Sequence, residues 1–208
     1  MASPHLRKRR PATLRAETSL FRRAAYGAWR LLDRFPALLL LALASTATFA
    51  FFLPQQIQQV TLGGTRGGAK LLDEQMLTWK AQDADLLLSG LGAEGRQAYR
   101  HFYLSFDFYF PALLSSLTLV SLLAILLRRH PGARRLALLP VVPYLFDFAE
   151  NLNHLAMLTA WPDHPAFCWV VGPWFTAGKW VSLFGVLGVV AITAGLTLLD
   201  VRTKSQEP

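Results

Sequence analysis

The sequence predicts an all-α fold: a polytopic membrane four-helix bundle with an amphipathic external loop. Three observations carry that prediction. Of the 208 residues, 53% are hydrophobic and only 16% charged, well under the quarter usual in soluble domains. The apolar residues collect into stretches long enough to cross ~30 Å of hydrocarbon. Lys and Arg gather in short segments beside those stretches, as topology signals do.

Four spans are expected, at about 36–53, 103–127, 136–160 and 171–199. The first (PALLLLALASTATFAFFL) is at the short end for a spanning helix. Residues Ala47-Thr48-Phe49-Ala50 loosely match a signal-peptide cleavage site, but the basic stretch before the span is long and the apolar run exceeds a usual signal core. An uncleaved anchor is the expectation. Pro131-Gly132 marks a tight turn between the second and third spans.

Orientation follows from the basic residues. Residues 1–35 hold nine Lys or Arg, the turn between spans two and three holds four (Arg128, Arg129, Arg134, Arg135), and the tail at 201–208 holds two. The loop at 54–102 holds five. This bias predicts a multi-pass protein of the cell (inner) membrane with both termini cytoplasmic and the loop outside. The net charge of +8 is therefore read as topology and contact with anionic lipid, not as nucleic-acid binding. The basic tail at 1–35 is expected to be partly disordered, its later half a candidate interfacial helix.

Within the loop, residues 54–68 (PQQIQQVTLGGTRGG) read as a flexible connector. Residues 70–88 have helix-compatible composition, and Ser89-Gly90-Leu91-Gly92 is a break. From Ala93 one helix can run into the second span, stacking Arg96, Arg100, Tyr103 and Asp107 on one face. Arg96, with Tyr99 further round the helix, would stand at the mouth of the bundle.

Four charged residues lie inside apolar stretches: Asp107, Asp147, Glu150 and Lys179. Facing lipid, they would cost on the order of 10 kcal/mol together, so they are expected to turn inward. The third span is the clearest case. At 100° per residue, Tyr144, Glu150, Asn151 and His154 all fall within about 60° of Asp147, and Leu145, Ala149, Leu152 and Ala156 lie opposite. Glu150 and Lys179 sit at similar depths, about 15 Å and 12 Å below the outer ends of their spans. Lys179 can therefore meet Glu150, Asn151 or His154. Asp107 is shallower and joins only if Pro111 bends its helix. Pro140 and Pro143 are expected to kink the cytoplasmic half of the third span.

These residues define a polar pocket in the outer half of the bilayer, open outward, whose role the sequence leaves unassigned. As a structural or lipid-binding site it needs only the paired network and a lipid-like ligand. As an acid–base enzyme it would use Glu150, Asp147 and Lys179 as catalytic candidates, with Asp107, Asn151, His154, Arg96 and Tyr99 around them. A proton-coupled transporter would need a homo-oligomer, since four spans are few for alternating access. Asp147, Glu150 and His154 are spaced i, i+3, i+7, but no further His or Cys lies close by apart from His164, so no metal is assigned. No cofactor is assigned. Cys168 is the lone cysteine and reads as packing beside Trp169.

The motifs Gly95-Arg96 with Tyr99, Asp107 with Phe110-Pro111, Asp147 with Glu150-Asn151, and Lys179-Trp180 resemble a recurring four-span layout of uncharacterised bacterial membrane proteins. The resemblance covers about residues 70–200. It implies the four-span architecture and no activity.

Overall fold

The computed structural model describes residues 35–62, 71, 72, 75, 79–163 and 165–204. The basic tail with its candidate interfacial helix, residues 63–70 with the end of the expected 54–68 connector, and the last four residues lie outside them. The chain forms two compact units, Met1–Leu39 and Leu40–Pro208. Of the first, only 35–39 are described: Pro36 opens a helix there, and the Leu38 N–H donates to the Phe35 carbonyl at 3.0 Å.

Helix α1 (Pro36–Ala47) runs into a π-helical stretch, Thr48–Phe52, and then α2 (Leu53–Leu62). Helix α3 (Ala81–Gly90) is followed by α4 (Gly92–Phe102), a second π stretch at Tyr103–Asp107, and α5 (Pro111–Leu126). Short 3-10 turns at Leu127–Arg129 and Pro131–Leu138 lead to α6 (Val141–Ala160) and the 39-residue α7 (Ala166–Lys204). No strand occurs among the described residues.

Three helical stretches are long and apolar enough to cross a membrane: Pro36–Gln58, Gly92–Leu126 and Ala166–Leu199. Their apolar windows are only 12%, 11% and 6% buried within the protein. Apolar surface on that scale suits lipid as solvent, so the chain is a membrane-embedded helical protein. The third expected span, now α6, is not among the three, because it carries Asp147, Glu150, Asn151, Asn153 and His154. The count of four spans is therefore not established by helix length and composition.

Prolines shape the long helices. A proline has no N–H for the carbonyl four residues back, so the helix before it must rearrange. Both π stretches precede a proline, Pro54 in one case and Pro111 in the other. In each a backbone N–H reaches five residues back: Leu53 to Thr48, and Phe108 to Tyr103 at 3.4 Å. The bend expected at Pro111 is thus a wide turn followed by a fresh helix start. Pro140 and Pro143 do not kink a helix. Pro140 caps α6 and Pro143 sits in its first turn, where its missing N–H costs little.

The connector expected from residue 54 differs too. Helix α2 continues to Leu62, because Leu53, Ile57 and Val60 make an apolar stripe despite the glutamines between them. The break at 89–92 falls where expected: Gly92 adopts φ +63, a backbone conformation that favours glycine. An N-terminal cap starts α3, with the Lys80 N–H donating to Asp83 Oδ2 at 2.8 Å.

The main hydrophobic core lies where the loop segments meet α4, α6 and the start of α7. Leu71, Leu72, Trp79, Leu87, Leu88, Leu91, Tyr99, Phe102, Tyr103, Met157 and Cys168 are all buried there. Helices α6 and α7 form the most extensive pair. Glycine permits their close approach, since a Cβ at Gly178 would run into the ring of Phe146.

Candidate functional site

Helix α6 presents the two faces its sequence requires. Glu150, Asn151, Asn153, His154, Met157 and Leu158 are buried, whereas Leu145 and Leu152 are exposed. The wet face meets α7. There the Lys179 ammonium lies 3.2 Å from Asp147 Oδ1 and is also paired with Glu150 Oε2. The other Glu150 oxygen accepts the Thr176 hydroxyl. Asp147 Oδ2 accepts from Asn151 Nδ2 at 3.3 Å. One lysine thus joins two carboxylates, each held by a second donor.

Glu150 and Thr176 have no exposed surface. An ionised carboxylate in such a place is tolerated only with paired charge and hydrogen bonds, and Glu150 has both. Lys179 and Asp147 remain partly open, at 13% and 14% side-chain exposure. They border a cavity of about 530 Å³. Asp107 borders the same cavity, carried there by the π turn before Pro111. Its remaining walls are mostly apolar, among them Phe49, Leu53, Ile57, Phe102, Leu119, Trp180 and Leu183. Hydroxyls stitch its frame: Ser116 donates to the Pro140 carbonyl at 2.9 Å, and Ser45 and Ser115 meet at 3.0 Å.

Three of the expected site residues, Asp107, Asp147 and Lys179, therefore share one cavity, and Glu150 and Asn151 stand directly behind it. His154 does not line the cavity among the described residues. Its Nδ1 lies 2.7 Å from the Tyr103 hydroxyl, which in turn bonds Tyr99 at 2.9 Å. Asp147 and Glu150 share Lys179 whereas His154 meets Tyr103, and no group of three or more His, Cys, Asp or Glu converges on a metal position among the described residues. Arg96 stands apart from the cavity. Its guanidinium donates to the Leu88 carbonyl at 2.8 Å and lies 5.3 Å from the centre of the Trp161 ring. Arg100 is exposed and Tyr103 buried, so the expected face of Arg96, Arg100, Tyr103 and Asp107 is not maintained.

Trp79 is the residue that sequence reasoning missed. It precedes α3 and is only 2% exposed. Its indole N–H donates to Thr176 Oγ1 at 3.0 Å, and its ring lies against His154 and Trp169. Gly172 makes room for it, since a Cβ there would overlap Trp79 and Asn153. The tryptophan continues the buried chain of donors through Thr176 to Glu150, Lys179 and Asp147. Comparisons with protein-family models, curated proteins and solved structures return no significant match to this chain.

Proposed function

We propose that this chain is a multi-pass protein of the cell membrane that holds a lipid-like amphiphile in its intramembrane cavity. One observation carries the reading. A cavity of about 530 Å³ has largely apolar walls and, among the described residues, three charged side chains, Asp107, Asp147 and Lys179, in its lining. Its size suits a small ligand, and its lining suits a molecule with a polar head and a hydrocarbon body. A network that served only to fix helix register would have no need of open space beside it. In this account Asp107, Asp147 and Lys179 meet the head, while Glu150, backed by Thr176, holds Lys179 in place and Asn151 holds Asp147. The bias of basic residues supports cytoplasmic termini and a site reached from the opposite side.

The test is native mass spectrometry of the purified chain. An amphiphile of defined mass should accompany the wild type and be lost from Leu183→Trp, which fills the cavity, with thermal unfolding confirming that the variant is folded. The same adduct on both proteins, or none on either, would overturn the reading.

A second reading, acid–base chemistry on the bound amphiphile, is favoured by the two carboxylates on one cavity. It predicts that Asp147→Asn co-purifies with an amphiphile of different mass, the unconverted substrate. An identical mass would count against it.

A further inference from the structure

We propose that Arg96 and Arg100 form a binding site for a phosphate group. The site is independent of the amphiphile in the first cavity. A second cavity, of about 200 Å³, lies between α4 and the last turn of α6, and Ala93, Arg96, Gln97, Arg100 and Leu158 line it. Among the described residues, the lining carries two guanidiniums and one amide but no carboxylate. Arg96 and Arg100 stand four positions apart on one helix, which sets their Cβ atoms about 5–6 Å apart. Like charges at that spacing repel, and neither guanidinium has an ion-pair partner among the described residues. An anion between them relieves the repulsion.

Arg96 is held ready for such a ligand. One N–H of its guanidinium donates to the Leu88 carbonyl at 2.8 Å, and the group lies 5.3 Å from the centre of the Trp161 ring. These contacts fix the side chain and leave further in-plane donors over. Gln97 and Arg100 are exposed, so the cavity is reached from outside, and the buried Leu158 closes it from within. A phosphate has oxygens enough for two guanidinium forks, whereas a carboxylate fills one. The depth fits as well. From Arg100 to Arg128, past the other end of α5, the rise is about 42 Å at ~1.5 Å per residue, close to the ~40–45 Å of a bilayer with its headgroups. The ligand chemistry is a phosphate oxyanion, carried by a lipid headgroup or free in solution.

The experiment uses the full chain in neutral maltoside detergent and three probes: dioctanoylphosphatidylglycerol, dioctanoylglycerol and inorganic phosphate. Binding is read by native mass spectrometry, as the number of bound molecules, and by the shift in melting temperature. Leu183→Trp protein is used throughout, so that lipid tails in the first cavity do not contribute. Phosphatidylglycerol should bind at least about tenfold more tightly than the phosphate-free glycerolipid, the scale of one charge-assisted hydrogen bond. Adding Arg100→Gln, an exposed change that leaves the Arg96 contacts in place, should weaken phosphatidylglycerol about tenfold and remove one bound lipid. Tighter binding of phosphatidylglycerol than of inorganic phosphate assigns the site to a lipid headgroup. Inorganic phosphate that binds as tightly, with the same dependence on Arg100, assigns it to a soluble phosphate. Equal binding of the two glycerolipids would overturn the proposal. So would phosphatidylglycerol binding that Arg100→Gln leaves unchanged, or failure of both phosphate probes to bind.

Discussion

Lys179 on α7 is ion-paired with Glu150 on α6, and Glu150 has no exposed surface at all. The pair fixes the register of the two helices that pack most extensively. Removing Lys179 strands the enclosed Glu150 carboxylate and removing Glu150 leaves Lys179 with Asp147 alone, whereas removing both takes away the fully enclosed charge. We predict that Glu150→Gln and Lys179→Met each destabilise the protein by about 3–5 kcal/mol, and that the double variant loses clearly less than their sum. Unfolding in detergent measures this, and strict additivity would argue against the pairing.

Thr176 acts as a relay of hydrogen bonds, accepting from Trp79 and donating to Glu150. Thr176→Val keeps the shape and removes the hydroxyl, which leaves a buried indole N–H without its acceptor. The expected loss is about 1–3 kcal/mol, and Thr176→Ser should recover most of it. A valine variant as stable as wild type would show that the relay contributes nothing.

Two glycines of α7 make a matched pair. A Cβ at Gly172 would overlap Trp79 and Asn153, whereas one at Gly188 would meet nothing within 4 Å. Gly172→Ala should cost about 1–3 kcal/mol and alter tryptophan fluorescence, while Gly188→Ala should be close to neutral. Similar effects from both would contradict the close seating of Trp79 against α7.

Orientation can be read with thiols, because Cys168 is buried. Ser89 and Arg134 are both exposed. In Cys168→Ser protein, Ser89→Cys should react with an impermeant reagent added to intact cells, and Arg134→Cys only after permeabilisation. The reverse pattern would place the termini outside.

Much of this arrangement was legible in the sequence, and for identifiable reasons. The wet face of α6 follows from its 3.6-residue period, and depth alone brings Lys179 to the level of Glu150, Asn151 and His154 without choosing among them, since helices rise uniformly. The faces of α4 were not legible. The π stretch at Tyr103–Asp107 adds backbone that a regular helix lacks, so Asp107 no longer lies in line with Arg96 and Arg100. Trp79 was illegible because its segment has no period and its partners lie 75 and 97 positions away, at His154 and Thr176. The sequence implied a polar pocket, but not its volume or its mostly apolar walls, which depend on how several segments pack.

The most direct measurement of the central claim is a density map of the protein extracted with its native lipid, without detergent. The account predicts elongated density in the cavity, its polar end against Lys179, Asp147 and Asp107 and its tail along Leu119 and Leu183. A cavity closed by side chains, or filled only with ordered water, would contradict it.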